Sequence, residues 1–213
     1  MMRLYQRTDC PFCWKVRLAL VELNIEFETV ENALGEKHEE VMRLSPTGTV
    51  PVLVDGDLSI WESGVILDYL DHHYGPGALY PADSGEQCRT RLLHAYSDKV
   101  VGGCVKDLVF EKRSKPESQW NAEVIEQSLA NWQKCLDWLE PYFSGHFSGH
   151  FAGHSPDAGL SAAECAIAAR LGVAAAYGVA VTSRHPNLYT WYEQVIARPQ
   201  WQTAYPTSFI RTE

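Results

Sequence analysis

The chain has 213 residues, room for one large domain or two small ones with real cores. Hydrophobic residues make up 46% and charged residues 21%, with 7 Trp and 10 Tyr, a composition that excludes a disordered chain. A formal net charge of -9 argues against a nucleic-acid binder, because phosphate binding needs a positive field.

The segment "RLYQ" reads as a short strand that ends at Thr8-Asp9. "PFCWKVRLALVELN" reads as a helix whose Val16, Ala19, Leu20 and Leu23 share one face. Pro11 suits its first position, where no amide hydrogen bond is lost. "IEFETVE" alternates apolar and polar residues, as a half-buried strand does. "GEKHEEVMRLSP" predicts a short helix with Val41, Met42 and Leu44 inward. "TVPVLVDGDLSIWES" predicts two strands joined at Asp55-Gly56. "ESGVILDYLDHHYG" predicts a helix that closes at Gly75 and buries Val65, Ile66, Tyr69 and Leu70.

The first 78 residues thus follow the order βαβαββα. A Pro/Gly-rich stretch, "GPGALYPADSGE", then supplies a linker, placed at 79–86. From 87 to 213 strand signals vanish, and helical patterns run over roughly 85–112, 119–142, 161–177 and 187–197. A small α/β domain followed by an all-helical domain is the expected architecture. The start, "MMRLYQRTDC", has no apolar core of a secretory signal, and no apolar run reaches the roughly 20 residues of a membrane span. The expectation is a cytoplasmic protein with reduced thiols and no membrane partner.

Of the cysteines at 10, 13, 88, 104, 135 and 165, only the first two are close together. "CPFC" admits three readings: a buried structural pair, half of a zinc site, or a reactive thiol with a resolving partner. Zinc generally needs a second ligand pair at similar spacing, and the chain has no other CxxC, so no metal is expected. Cys10 before Pro11 falls at the cap of the first helix, where unpaired amides and the helix dipole stabilise a thiolate. Cys13 lies one turn further in, placed to attack a mixed disulfide formed on Cys10. The redox or nucleophile reading is favoured over both others.

With "CPFC" after a strand, "TVPVL" at 49–53, "WES" at 61–63 and "LSAAECAIAARL" at 160–171, the sequence resembles the glutathione transferase superfamily along essentially its whole length. Its cysteine resembles the omega-type transferases and the two-domain bacterial glutaredoxin. The resemblance implies a thioredoxin-like N-terminal domain, an all-α C-terminal domain, glutathione as co-substrate and a homodimer. It implies a cis bond at Val50-Pro51 that presents the Val50 backbone to a peptide ligand beside Cys10. Glu62 would meet the ammonium of the γ-glutamyl end and Ser63 its carboxylate. Lys37 would meet the glycine carboxylate, and Phe12 would pack near the thiol. Taken alone, each of these has a plain structural role too: capping, a solvated charge, or core.

Ser161 and Glu164 form a capping box with Leu160 and Cys165 as its staple, a structural motif similar to that of the superfamily's helical domain. The tandem "FSGHFSGHFAGH" at 143–154 departs from that pattern. Its glycines argue against a helix, and a duplicated surface loop is the expectation. Tyr96, Phe110 and Trp120 are candidates for an acceptor wall. Three functions remain open. The favoured one is thiol transfer through Cys10, with a small disulfide or electrophile as the second substrate. The others are conjugation of glutathione to an electrophile, and a non-catalytic interaction module like the transcription-associated relatives of this architecture.

Overall fold

The structure, a computed structural model, describes residues 1–33, 35, 38–144 and 159–209. Lys37 and most of the His/Gly repeat lie outside the described residues. The first part runs β1 (Met2–Gln6), α1 (Pro11–Glu22), β2 (Phe27–Glu31), α2 (Glu39–Leu44), β3 (Val52–Asp55), β4 (Leu58–Trp61) and α3 (Ser63–Tyr74). The sheet order is β2-β1-β3-β4, with β1 parallel to β2 and antiparallel to β3. A parallel pair needs a long crossover, and α1 provides it.

Successive strand residues point to opposite faces, and this partitions the core. Leu4 and Leu53 join α1 and α3 in the main cluster, which includes Val16, Leu20, Ile66 and Leu70. Their neighbours Tyr5, Val52 and Val54 face the other way and meet Val41 of α2. Two inward assignments are corrected. Met42 is 48% exposed, because a six-residue helix has room for one inward position, which Val41 fills. Val65 is 53% exposed, because α3 buries Ser63, Ile66, Leu67, Leu70 and Asp71 along one stripe. The hairpin turn also sits one residue later than expected: Asp55 pairs with Leu58, so Gly56 and Asp57 form it, and Gly56 takes φ 59.

The helical part holds α4 (Ser84–Tyr96), α5 (Gly102–Ser114), α6 (Ala122–Leu139), α7 (Ala162–Ala176), α8 (Pro186–Ile196) and α9 (Pro199–Ala204). A π-helical turn, Ser97–Val101, joins α4 to α5. α4 begins inside the stretch expected to be linker, and Leu79 and Tyr80 are buried, their amides held by the Asp71 carboxylate at 2.7 and 3.1 Å. α7 is buried from Ala162 to Ala174, the mark of a central helix. It meets α1 closely: a Cβ on Gly172 would fall 2.4 Å from the Trp14 ring, so only glycine fits. Trp14 in turn lies 4.6 Å from Trp201 of α9, centroid to centroid.

The capping box is formed as expected. The Glu164 amide donates to Ser161 Oγ at 3.3 Å, and the Ser161 amide donates to Glu164 Oε2 at 2.9 Å. Trp191 Nε1 donates to the other carboxylate oxygen at 3.2 Å, tying α8 to this start. Ser161→Ala is expected to lower stability by about 1–2 kcal/mol, read from the urea midpoint at constant slope.

Candidate active site

Cys10 is the N-cap of α1, with φ -77 and ψ 121, and its carbonyl accepts the first helical hydrogen bond from Trp14 at 2.8 Å. The turn before it is closed by its own amide, which donates to the Arg7 carbonyl at 3.1 Å. The Cys13 thiol donates a hydrogen bond to the Cys10 sulfur, the largest influence on it. Burial opposes ionisation, while the Cys13 amide, the Arg7 guanidinium and the Phe12 amide favour it. The net result lowers the Cys10 pKa to about 6. Cys13, fully buried, moves the other way: burial pushes its thiol well up, and its bond and proximity to Cys10 add to this. One proton and one negative charge are thereby sorted between two sulfurs, with the charge on the outer one.

This asymmetry has a measurable consequence. A thiolate forms as pH rises through the pKa, so Cys10 alkylation by iodoacetamide should rise with a midpoint near pH 6. Cys13→Ala removes the main donor and should move that midpoint up. Cys13→Ser keeps a hydroxyl donor and should move it less. An unchanged midpoint in Cys13→Ala would remove Cys13 as the cause.

Val50–Pro51 is a cis peptide. Tyr5 pairs with Val52, so the start of β3 lies beside the end of β1, from which the Cys10 loop departs. Val50 lies just outside the ladder. Glu62 has φ 66 and ψ 112 at the N-cap of α3, a conformation that costs a non-glycine residue about 1–3 kcal/mol and that clusters at ligand sites. Phe12, Glu62 and Ser63 line one cavity of about 350 Å³, while Cys10 and Phe12 line a neighbouring one of about 550 Å³. Asp98, Lys99 and Phe12 border both, so the two cavities adjoin. Val50 and Pro51 are among the lining residues of neither. Of the candidate aromatics, Phe110 lines the larger cavity, Tyr96 lines a separate groove beside Trp138, and Trp120 lines neither.

Several residues here escaped the sequence. Lys15 is 1% exposed, its ammonium donating to Asp98 Oδ2 at 2.5 Å and lying 2.7 Å from His94 Nε2. Burial lowers the His94 pKa, and the same Nε2 lies 3.4 Å from Asp98 Oδ2, so Lys15, His94 and Asp98 form one cluster. Arg170 places its guanidinium 4.3 Å from the Phe12 ring centroid and 3.7 Å from Asp98 Oδ1. Asp9 pairs with Arg7 at 2.6 Å and with Arg113 of α5 at 2.8 Å. Arg17 donates to Gln6 at 2.5 Å, to the Thr8 carbonyl at 2.9 Å and to the Ala204 carbonyl at 2.9 and 3.0 Å. The thiol loop is thus clamped by α5, α7 and α9. The available signal was two cations, Lys15 and Arg17, inside a helix otherwise rich in apolar residues.

A four-stranded α/β domain with a capping cysteine and a cis-proline, docked on a helical domain, defines a thioredoxin-like transferase architecture. The family described as the glutathione S-transferase N-terminal domain matches residues 4–78. Glutathione S-transferase omega-2 of Homo sapiens is 28% identical over 146 residues, 68% of this chain and 60% of that protein. A stringent starvation protein A homologue of Haemophilus influenzae is 35% identical over 92 residues, 43% of each chain, so the match spans less than half of that relative. A glutathione S-transferase from Methylobacillus flagellatus KT, solved with GSH bound, superposes with a TM-score of 0.78 at 26% identity, covering 97% of this chain and 100% of that one. Residues 4–78 belong to the glutathione S-transferase N-terminal domain family, and the chain as a whole has the fold of glutathione S-transferases. Among the described residues no helix is long and apolar enough to cross a membrane.

Proposed function

We propose that this protein is a glutathione-dependent thiol transferase that uses Cys10 as its nucleophile. The observation that carries the reading is Cys10, its thiol lowered to about pKa 6, among the residues lining a cavity between the two halves of the chain. We assign residues 1–78 to the glutathione-binding domain, 79–86 to the connection and 87–213 to the helical domain. Glutathione would lie along the smaller cavity. There the Glu62 carboxylate suits its ammonium, Ser63 at the start of the twelve-residue α3 suits its carboxylate, and the Val50 backbone suits its peptide. Phe12 would cover its sulfur, and Lys37 would meet its glycine end. A GSH-bound relative of the same fold at 26% identity supports this placement.

The chemistry is two displacements at sulfur. The Cys10 thiolate attacks the glutathionyl sulfur of a mixed disulfide, R–S–SG; the old S–S bond breaks, and RS⁻ leaves and takes a proton from water. A glutathione thiolate then attacks the glutathionyl sulfur on Cys10. Glutathione disulfide leaves and the Cys10 thiolate returns, so one glutathione thiol is oxidised as one R–S is reduced, the other half of the product having arrived in the mixed disulfide. In a dithiol route Cys13, once deprotonated, attacks the Cys10 sulfur of the Cys10–SG bond and expels glutathione thiolate; two glutathiones then reduce the internal disulfide and leave as glutathione disulfide. No metal enters either route. The reading implies a reducing, cytoplasmic setting. It also implies a homodimer, which the exposed Leu92, Val100 and Trp138 support as an apolar face for a second copy.

The likeness to the stringent starvation protein A homologue favours a second reading, an interaction module without catalysis. One comparison separates them: reduction of a glutathione mixed disulfide and conjugation of an aromatic electrophile, assayed in parallel with retention on immobilised glutathione. Reduction that depends on Cys10 carries the proposal. Conjugation that survives its loss makes the protein a conjugating transferase. Absence of both activities and of retention leaves the module.

A further inference from the structure

The cavity above Cys10 has walls that select a particular leaving group, an inference that rests on the thiol-transferase reading. Its apolar lining comes from Val105, Val109 and Phe110 of α5, Val173 and Tyr177 at the end of α7, and the Phe12 ring. At about 550 Å³ it has the size of a small-molecule site. Its charge is unusual for a chain of net charge -9: Arg7, Lys99, Lys106, Arg113 and Arg170 line it against only Asp9 and Asp98. The two carboxylates are already engaged. Asp9 is shared by Arg7 and Arg113, and Asp98 is held by the buried Lys15 and approached by Arg170. Among the described residues neither Lys99 nor Lys106 is drawn into an ion pair.

Local backbone geometry delivers these cations to one side. Lys99 sits on the π-helical turn, a rare conformation that recurs at functional sites. Lys106 and Arg113 are seven residues apart on α5, about two turns, and so share a face. Between them and Lys99, Gly102 lets the Arg170 guanidinium lie against the helix, since a Cβ there would come 2.6 Å from its Cζ. At Gly103 a Cβ would meet open space, so this position leaves the cavity wide.

We propose that the acceptor site takes mixed disulfides whose leaving half is an aromatic or similarly apolar thiol bearing a carboxylate. The apolar wall holds the ring, Lys99 and Lys106 meet the carboxylate, and the cationic surroundings stabilise negative charge on the departing sulfur.

The test compares the glutathione mixed disulfides of 4-mercaptobenzoate and of 4-mercaptobenzamide, which match in shape and differ in charge. The wild-type protein should favour the benzoate by about tenfold in kcat/KM, and rising salt should shrink that ratio. In Lys99→Gln/Lys106→Gln the ratio should fall to within about twofold, through KM rather than kcat. Equal wild-type rates, or a ratio unmoved in the double variant, would overturn the charge assignment. Binding of 4-(methylthio)benzoate and its amide, which cannot react, reads the same preference without turnover. If neither disulfide is reduced yet the acid binds about tenfold tighter, the thiol-transferase reading fails and the anion site stands. If both bind alike, the anion site fails whatever the catalysis.

Discussion

Cys10→Ser lowers the rate of mixed-disulfide reduction by at least about a thousandfold. An alcohol in this position stays protonated at neutral pH, and among the described residues its hydrogen-bonding side-chain partner, Cys13, is a donor and not a base. The amides, the Arg7 charge and the helix start that favour a thiolate cannot ionise a hydroxyl, so the whole chemical step is lost. Removal of a nucleophile from other enzymes costs up to ~10⁶, so a thousandfold is a modest floor. Cys13→Ser, by contrast, is expected to stay within about tenfold of wild type, because a second glutathione resolves the intermediate on Cys10. The pair of results assigns attack to one sulfur and optional resolution to the other. Both substitutions are nearly isosteric, so matching thermal midpoints will show that a loss is chemical rather than a failure to fold. Full reductase activity in Cys10→Ser ends the mechanism.

The parts of the site that were legible in the sequence are the local ones. A cysteine before a proline at a helix start and a glutamate-serine before an apolar helix mark two helix starts from a few neighbouring residues, whereas the cis bond at Val50-Pro51 was implied by the family resemblance and not by local sequence. The structure forms the cap, the cis bond and the strained Glu62 at those positions. The order of elements was legible for the same reason, since periods of 2 and 3.6 are local properties. What did not show is everything set by docking. Arg170 reaches Phe12 across 158 positions of chain, and no spacing rule connects them. Lys15 falls in the same helical repeat as a solvated charge, and only the approach of His94 and Asp98 from the other domain makes it a buried cation. Met42 and Val65 were misread because apolar periodicity in one or two turns fits more than one stripe; packing against the sheet chose between them. α9 was missed because six residues carry too little pattern.

That buried cation leads to the second large effect. Asp98→Asn should destabilise the protein by about 2–3 kcal/mol, below the usual cost of breaking a buried pair because the Asp98 side chain is 24% exposed. The loss falls on Lys15, left with an ammonium in a dry site beside His94 and the cationic Arg170. The pH dependence follows from the shifts. Burial raises the Asp98 carboxyl, but its bond to His94 and the Lys15 charge outweigh this and hold it at about 2, below its ordinary 3.8. A depressed carboxylate contributes stability that is present above about pH 4 and is lost as pH falls toward 2, so wild type and variant should converge in acid. Burial lowers Lys15 from 10.5, so rising alkalinity discharges it before the unfolded chain and should narrow the gap from the other side. Lys15→Met removes the stranded charge and fills its space with an apolar stem. In that background Asp98→Asn should cost less than about 1 kcal/mol, and the difference between the two costs is the coupling across the domain junction. Urea unfolding of the four proteins measures it. An equal cost in both backgrounds would mean that Asp98 stabilises the fold through Arg170 or His94 instead, and that Lys15 tolerates burial without it.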